Sequence, residues 1–495
     1  MSEAKRVAIR QLPSGVPGLD LILGGGVPEY SFNLVAGEPG TGKTTLAQQF
    51  VFQNATPECT ALFFTILGEP AVKMLRYQQQ YSFFDPKMVG ESVRFVNLSD
   101  DALERGLTGV MERIVREVEE SGAGIVVVDS FRSLISTAVG DPQAPTDLHA
   151  FVQRLALHLT HWQVTSMLVG EYSHEDRHSN AVFTIADSIL WLTQALDNNS
   201  VVRKIQVVKV RGQGQMPGLH TFTIGKAGLQ VFPRISLPVD ERDRVAPGGR
   251  AATGVAGLDE MMGGGIPMGD SVLIAGPSGT GKSVLATQFI AEGGKRGEPG
   301  VLVVFEEHPK EYLYRAEGLG FGLQKMMDEG RLEALYLRPL DLSPDETLFE
   351  IRAAAKRVGA KRVVIDSMSG FELALAPTFR ADFRESLYRL VGALTGVGIT
   401  VVTTMEVIQG EGGLRFTPNV ISFLADDLIS LRYVEVDRHL RKVVAVVKMR
   451  GSQHSKEYRE YDITDRGFEV LGDLSGYSGQ ISGAPHLMKR TTVEE

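Results

Sequence analysis

Two eight-residue segments of this chain have the residue types and spacing to hold a polyphosphate. Residues 37–44 read GEPGTGKT and residues 276–283 read GPSGTGKS. Both fit G-x-x-x-x-G-K-[ST], a loop whose backbone N–H groups wrap phosphate oxygens. In the first, Gly37, Gly40 and Gly42 let the chain turn inward, with Glu38, Pro39 and Thr41 between them. Lys43 then reaches terminal phosphates, Thr44 offers a hydroxyl to Mg²⁺, and Thr45 follows in the same turn. Gly276, Pro277, Ser278, Gly279, Thr280, Gly281, Lys282, Ser283 and Val284 repeat the set. The ligand that such loops imply is ATP, with Mg²⁺ beside it.

Carboxylates stand where that chemistry needs them. Asp129 ends IVVVD and Asp366 ends RVVID. An acid at the tip of an apolar strand helps hold Mg²⁺, together with Thr44 or Ser283. The plainer reading is a helix N-cap shared with Ser130 or Ser367. Hydrolysis also needs a carboxylate that orients or deprotonates water. VLVVFEEHP supplies Glu306 and Glu307 just past a strand. The matching run in the first half is ALFFTILGEP, with Leu67 and Gly68 in place of the pair and Glu69 displaced by one residue. Glu69 is the first half's candidate. Two cation pairs complete the set. Lys209 and Arg211 end VRKIQVVKVRG, and Lys448 and Arg450 end RKVVAVVKMRG. Alternate residues share a strand face, so each pair suits a neighbouring molecule's phosphates. Solvated charges at a strand end are the alternative.

The elements that position these residues come in two copies. Lys43 and Lys282 are 239 positions apart (282 − 43), and GLD at 18–20, GGGVP at 24–28 and KVRG at 209–212 return at the same offset. The period is too long for a solenoid and fits a duplicated domain. Each loop follows an apolar run (FNLVA, SVLIA) and opens a helical one (TTLAQQFV, SVLATQFI). Further short apolar strands alternate with helices in both halves. That pattern predicts an α/β fold of two tandem domains, each a mostly parallel sheet covered by helices on both faces. The expected boundaries are 1–235, a linker at 236–250, 251–480 and a tail at 481–495.

Composition narrows the class. Net charge is −9, apolar residues make up 43% and charged ones 22%. The acidic balance argues against a surface built for nucleic acid. No apolar run is long enough to cross a bilayer, and MSEAKRVAIRQ lacks a signal-peptide core. Cys59 is the single cysteine, so no intrachain disulfide forms. A cytoplasmic location is the expectation.

At this point the chain resembles the tandem RecA-like ATPases of the KaiC type, the circadian clock ATPase/kinases. The resemblance covers nearly the whole chain. It rests on GVPGLDLILGGGVPEYS at 15–31, its copy at 253–271, FEEHP, VKMRGSQHSKEYREYDITDRGFEV at 447–470 and ISGAPH at 481–486. It implies a homo-hexamer, stacked as a double ring, with ATP at subunit interfaces. Lys209, Arg211, Lys448 and Arg450 match residues that reach the neighbour's ATP. Met449, Ser452, His454 and Lys456 fall in the same trans-acting stretch. The family's second domain phosphorylates itself on an adjacent Ser-Thr pair. Here Ser422 matches the first acceptor, Phe423 replaces the second, and Thr417 matches a secondary hydroxyl. Single-site phosphorylation or none is expected. After ISGAPH only LMKRTTVEE follows, so a KaiA-type activator is not expected, while a KaiB-like partner stays open. Two rival readings remain: a RecA-like recombination or helicase motor, and a nucleotide-stabilised scaffold.

Overall fold

The computed structural model describes residues 9–65, 71–130, 144–173, 175–176, 182–197, 200–234, 248–337, 342–380, 383–407, 425–436, 439–473, 477–478 and 486–487. The chain divides into two compact units, Met1–Arg234 and Ile235–Glu495. Glu69, Thr417 and Ser422 lie outside the described residues, as do Leu67, Gly68, Phe423 and most of the tail. Among the described residues no helix is long and apolar enough to cross a membrane.

The first unit is built on a nine-stranded sheet. Its strands are β1 (Phe32–Gly37), β2 (Ala61–Thr65), β3 (Val93–Asn97), β4 (Ile125–Asp129), β5 (Thr165–Glu171), β6 (Ser188–Asp197), β7 (Ser200–Val210), β8 (His220–Gly225) and β9 (Gly228–Phe232). Their order is β9-β8-β7-β6-β1-β5-β4-β2-β3. The strands from β6 to β3 in this order are parallel, and β7, β8 and β9 extend the sheet by antiparallel pairing. The second unit repeats this with β10 (Ser271–Gly276), β11 (Gly300–Val304), β12 (Leu332–Tyr336), β13 (Arg362–Asp366), β14 (Thr400–Glu406), β15 (Asp427–Val436), β16 (His439–Lys448), β17 (Arg459–Thr464) and β18 (Gly467–Asp473). The order is again the same, β18-β17-β16-β15-β10-β14-β13-β11-β12. Both units are α/β, as the alternation of strands and helices led us to expect.

The apolar strands are continuous because both sheet faces are covered. On β2 and β4, Leu62, Phe64, Val126 and Val128 pack on one face with Leu155 and Leu168. Their neighbours Phe63, Ile125 and Val127 pack on the other, against Leu46 and Phe50 of the helix α1 (Lys43–Asn54). In the second unit, α2 (Lys282–Lys295) sets Leu285, Phe289 and Ile290 against Ile274, Leu302 and Val364. The antiparallel extension reaches the same face: stacked Tyr461 and Phe468 have ring centroids 4.1 Å apart, and Tyr461 Oη donates to the Thr280 carbonyl at 2.6 Å. The repeated GLD is structural. Asp20 and Asp259 accept from the Ser14 and Thr253 amides at 2.8 Å, closing the turn before a short helix.

Phe289 is 1% exposed, and the Arg362 guanidinium lies 4.5 Å from its ring centroid. Truncation there removes a large buried ring and leaves a cavity. Phe289→Ala should cost about 3–5 kcal/mol. Denaturant unfolding followed by a probe in the second unit checks this; a shift below 1 kcal/mol would contradict the packing described.

Candidate functional site

Each phosphate-type loop leaves the carboxyl end of a central strand and runs into a helix. β1 ends at Gly37 and α1 starts at Lys43, while β10 ends at Gly276 and α2 starts at Lys282. The residue before each helix must be glycine for two reasons. Gly42 and Gly281 have φ of 96° and 87°, in the left-handed region. A Cβ on them would also stand 2.6 Å from Ile224 and 2.5 Å from Ile463. The hydroxyls of Thr41 and Thr280 donate at 2.8 Å to the Glu38 and Pro277 carbonyls. Lys43 and Lys282 donate to the same two carbonyls at 2.7 and 2.8 Å. Burial pushes both ammonium groups down in pKa, against nearby carboxylates. Phosphate oxygens in the loop would take over these lysine contacts and restore the charge balance.

In the second unit a cavity of about 430 Å³ opens beside this loop. Ser278, Gly279, Gly281, Lys282, Ser283 and Val284 form its floor, and Glu306, Asp366, Ser367 and Glu406 bring oxygen groups to it. Leu319, Phe321 and Ile463 supply an apolar end. The Ser283 hydroxyl and the Asp366 carboxylate are hard oxygen donors, the type that Mg²⁺ takes alongside phosphate and water. In the first unit the corresponding donors touch: Thr44 Oγ1 donates to Asp129 Oδ2 at 2.6 Å. Burial raises Asp129 to about 6, opposed by this bond and by Lys43. In the second unit Asp366 accepts from Thr404 instead. Among the described residues no group of three or more His, Cys, Asp or Glu gathers to hold a metal. The Ser283 hydroxyl and the Asp366 carboxylate suit a cation shared with phosphate.

Glu306 and Glu307 part company beyond β11. Glu306 lines the cavity and accepts from Ser367 Oγ at 2.9 Å. Gly370 leaves room for it, since a Cβ there would stand 2.7 Å from Glu306 Oε1. Glu307 is not among the cavity-lining residues and pairs with Arg315. Two more carboxylates were missed by reading motifs. Glu171 ends β5 in register with Gly37, and Glu406 ends β14 in register with Gly276. Each acts on the pKa of its loop lysine. The available signal was the match of VGE to TME at two apolar strand tips.

The cation pairs occupy the opposite end of the sheet. Arg211 and Arg450 lie just past their strands and bond Asp187 and Asp426 at 3.1 and 3.3 Å. Asp187 and Asp426 in turn donate their amides to Phe32 and Ser271, the first residues of β1 and β10. Lys209 points to the Phe183 and Thr184 carbonyls at 3.2 and 3.3 Å, and Lys448 to the Ala425 carbonyl at 2.6 Å. The phosphate loops leave the last residues of the same six-residue strands. At about 3.3 Å per residue the two ends are roughly 17 Å apart. Ser452 Oγ accepts from Arg250 at 2.8 Å, and His454 and Lys456 follow in the β16–β17 connection. The Met449 side chain is buried in the core of its own unit.

Asp427 sits beside this second pair, fully buried. Burial raises it to about 7, helped by the charges of Asp270 and Asp426 and opposed by the Arg450 amide and Arg250. A raised carboxyl keeps its proton in the folded chain after the unfolded chain has released it. Its stabilising effect is thus present at low pH and lost as pH rises from about 4 to about 7. Asp427→Asn should remove up to ~1.4 kcal/mol per pH unit of that slope. Denaturant melts of both chains across this range test it; equal slopes would contradict the assignment.

The model of a known family, "ATPase: KaiC", matches residues 12–236 and again 251–475. The circadian clock oscillator protein KaiC of Prochlorococcus marinus (strain MIT 9313) is 28% identical over 490 residues, covering 98% of this chain and 97% of that protein. KaiC of Picosynechococcus sp. (strain ATCC 27264 / PCC 7002 / PR-6) is 29% identical over 499 residues, covering 98% of this chain and 94% of that protein. The protein named KaiC 1 of Synechocystis sp. (strain ATCC 27184 / PCC 6803 / Kazusa) is 29% identical over 505 residues, covering 100% and 94%. With one matched domain in each half, this chain belongs to the KaiC ATPase family.

Proposed function

We propose that each unit binds ATP with Mg²⁺ and hydrolyses it at a site completed by a second copy of the chain, within hexameric rings. One observation carries this reading. Loop and cation pair stand at opposite ends of the same strand, so Lys448 and Arg450 are directed away from their own loop. A ring of copies stacked head to tail brings one copy's cations to the next copy's phosphates. The same layout in the first unit supports the same role for Lys209 and Arg211. Ser452, His454 and Lys456 lie in the connection that would face the neighbour.

Within the second unit, Lys282 and the loop amides hold the phosphates, and Ser283 with Asp366 would hold Mg²⁺. When bound, Mg²⁺ neutralises phosphate charge. Glu306 then orients the attacking water and takes its proton. Its place on the cavity wall favours it over Glu307. The relatives named as clock oscillator proteins support a timer or signalling role, with a KaiB-like protein as the partner to test first. Self-phosphorylation at Ser422, with Thr417 second, belongs to the same reading. Ser422 precedes Ala425, the carbonyl partner of Lys448, by only three positions.

ATP and Mg²⁺ should convert the chain to hexamers or double hexamers in light scattering, because ligand bridging two copies drives assembly by mass action. Lys448→Ala and Arg450→Ala should lower the second unit's phosphate release about tenfold or more in rings of unchanged size. A monomer at saturating ATP, or unaltered turnover in intact variant rings, overturns the proposal. Mass spectrometry after ATP incubation tests the acceptor; phosphate found chiefly outside residues 415–425 removes Ser422 from it.

A further inference from the structure

We propose that Arg315 is a second phosphate-binding cation of the C-terminal unit, supplied by the same chain and parked on Glu307 until nucleotide enters. The proposal rests on the nucleotide reading above and names a residue that neither the loop motif nor the trans cations include. Among the described residues, Lys282 and Arg315 are the cations that line the cavity, where Glu306, Asp366 and Glu406 bring carboxylates. A triphosphate entering such a wall gains from a second cation of the same chain beside the loop lysine. Arg315 has it within reach. Its helix, Pro309–Gly318, also carries Tyr312, one turn earlier on the same face. Tyr312 is buried, and its hydroxyl shares a 2.7 Å hydrogen bond with Thr287 of α2. Thr287 donates at 2.6 Å to the Ser283 carbonyl, in the first turn of that helix. The guanidinium carbon of Arg315 lies 5.7 Å from the Tyr312 ring centroid. The arginine is thus anchored to the helix that starts at the phosphate loop.

Its present partner is easily exchanged. The side chains of Arg315 and Glu307 are 59% and 25% exposed, and a pair so open to water contributes little. A phosphate bound through two parallel N–H···O bonds is the stronger partner for a guanidinium. The duplication supplies an independent argument. Arg76 recurs at the same 239-residue offset from Arg315 (315 − 76), on the helix Ala71–Gln78, but the residue matching Glu307 is Gly68. The arginine is kept in both halves and the acid in one, so pairing with that acid does not explain the arginine.

The test measures binding of a non-hydrolysable ATP analogue with Mg²⁺ to the full chain carrying Lys43→Ala, so that the second unit reports. Arg315→Ala should weaken binding about tenfold, and Arg315→Lys should restore part of it. Glu307→Gln should tighten binding severalfold, because it releases the arginine from its competing partner. The Arg315→Ala, Glu307→Gln double variant should bind like Arg315→Ala alone. Thermal melts of each variant confirm folding, which the exposed position of Arg315 favours. Equal binding by parent and Arg315→Ala overturns the proposal, as does a Glu307→Gln variant that binds more weakly with or without the arginine. A parent chain that binds no analogue at all is a different outcome, and it overturns the nucleotide reading itself.

Discussion

A parallel strand has two unlike ends, and this fold uses both. The phosphate loop must leave the carboxyl end of β1 or β10, where the helix N-terminus and its free N–H groups are turned toward the ligand. The hairpin beside that strand runs antiparallel, so its last residues come back to the amino end. Lys448 and Arg450 sit there, and Lys209 and Arg211 do the same in the first unit. No side-chain rotation brings such groups across roughly 17 Å of strand. Strand direction alone therefore keeps a unit's own loop and cations from meeting on one ligand, and this supports the proposal that a second copy completes the site.

The rest of the structure keeps that geometry fixed. Both faces of each sheet are buried, with Phe63 and Phe64 on consecutive positions packing on opposite sides. The loop is held from above by the last hairpin: Ile463 and Ile224 close on Gly281 and Gly42, and Tyr461 holds the Thr280 carbonyl. Its lysine rests on a carbonyl of its own loop. The two units differ around the metal-type donors. Thr44 already bonds Asp129, whereas Asp366 turns to Thr404. The wall of the second unit carries Glu306, and the first unit has Leu67 at that place in the sequence.

Legibility followed sequence distance. The phosphate loops were readable because eight consecutive residues carry them, and Asp129 and Asp366 because each ends its own apolar strand. The sheet class was readable from strands apolar on both faces. Glu406 was not, because it meets Gly276 only through the pairing of β10 with β14, 130 positions apart (406 − 276). Arg315 and Tyr312 belong to no motif, and only the fold brings them to the cavity. Glu306 and Glu307 are adjacent and identical in type; only their partners, Ser367 and Arg315, separate them. Met449 lies between two cations in the sequence, and only the packing shows that its side chain turns into the core.

The central claim is that one copy's loop works with another copy's cations, and subunit mixing tests it most directly. Chains carrying Lys282→Ala lack the loop lysine but keep Lys448 and Arg450. Chains carrying Lys448→Ala with Arg450→Ala keep the loop and lack the cations. Each preparation alone should show reduced phosphate release from the second unit. Mixed and reassembled with MgATP, they create interfaces where an intact loop faces intact cations. The account predicts turnover in the mixture above the mean of the two parents. Turnover equal to that mean, in rings shown to contain both chains, would contradict it.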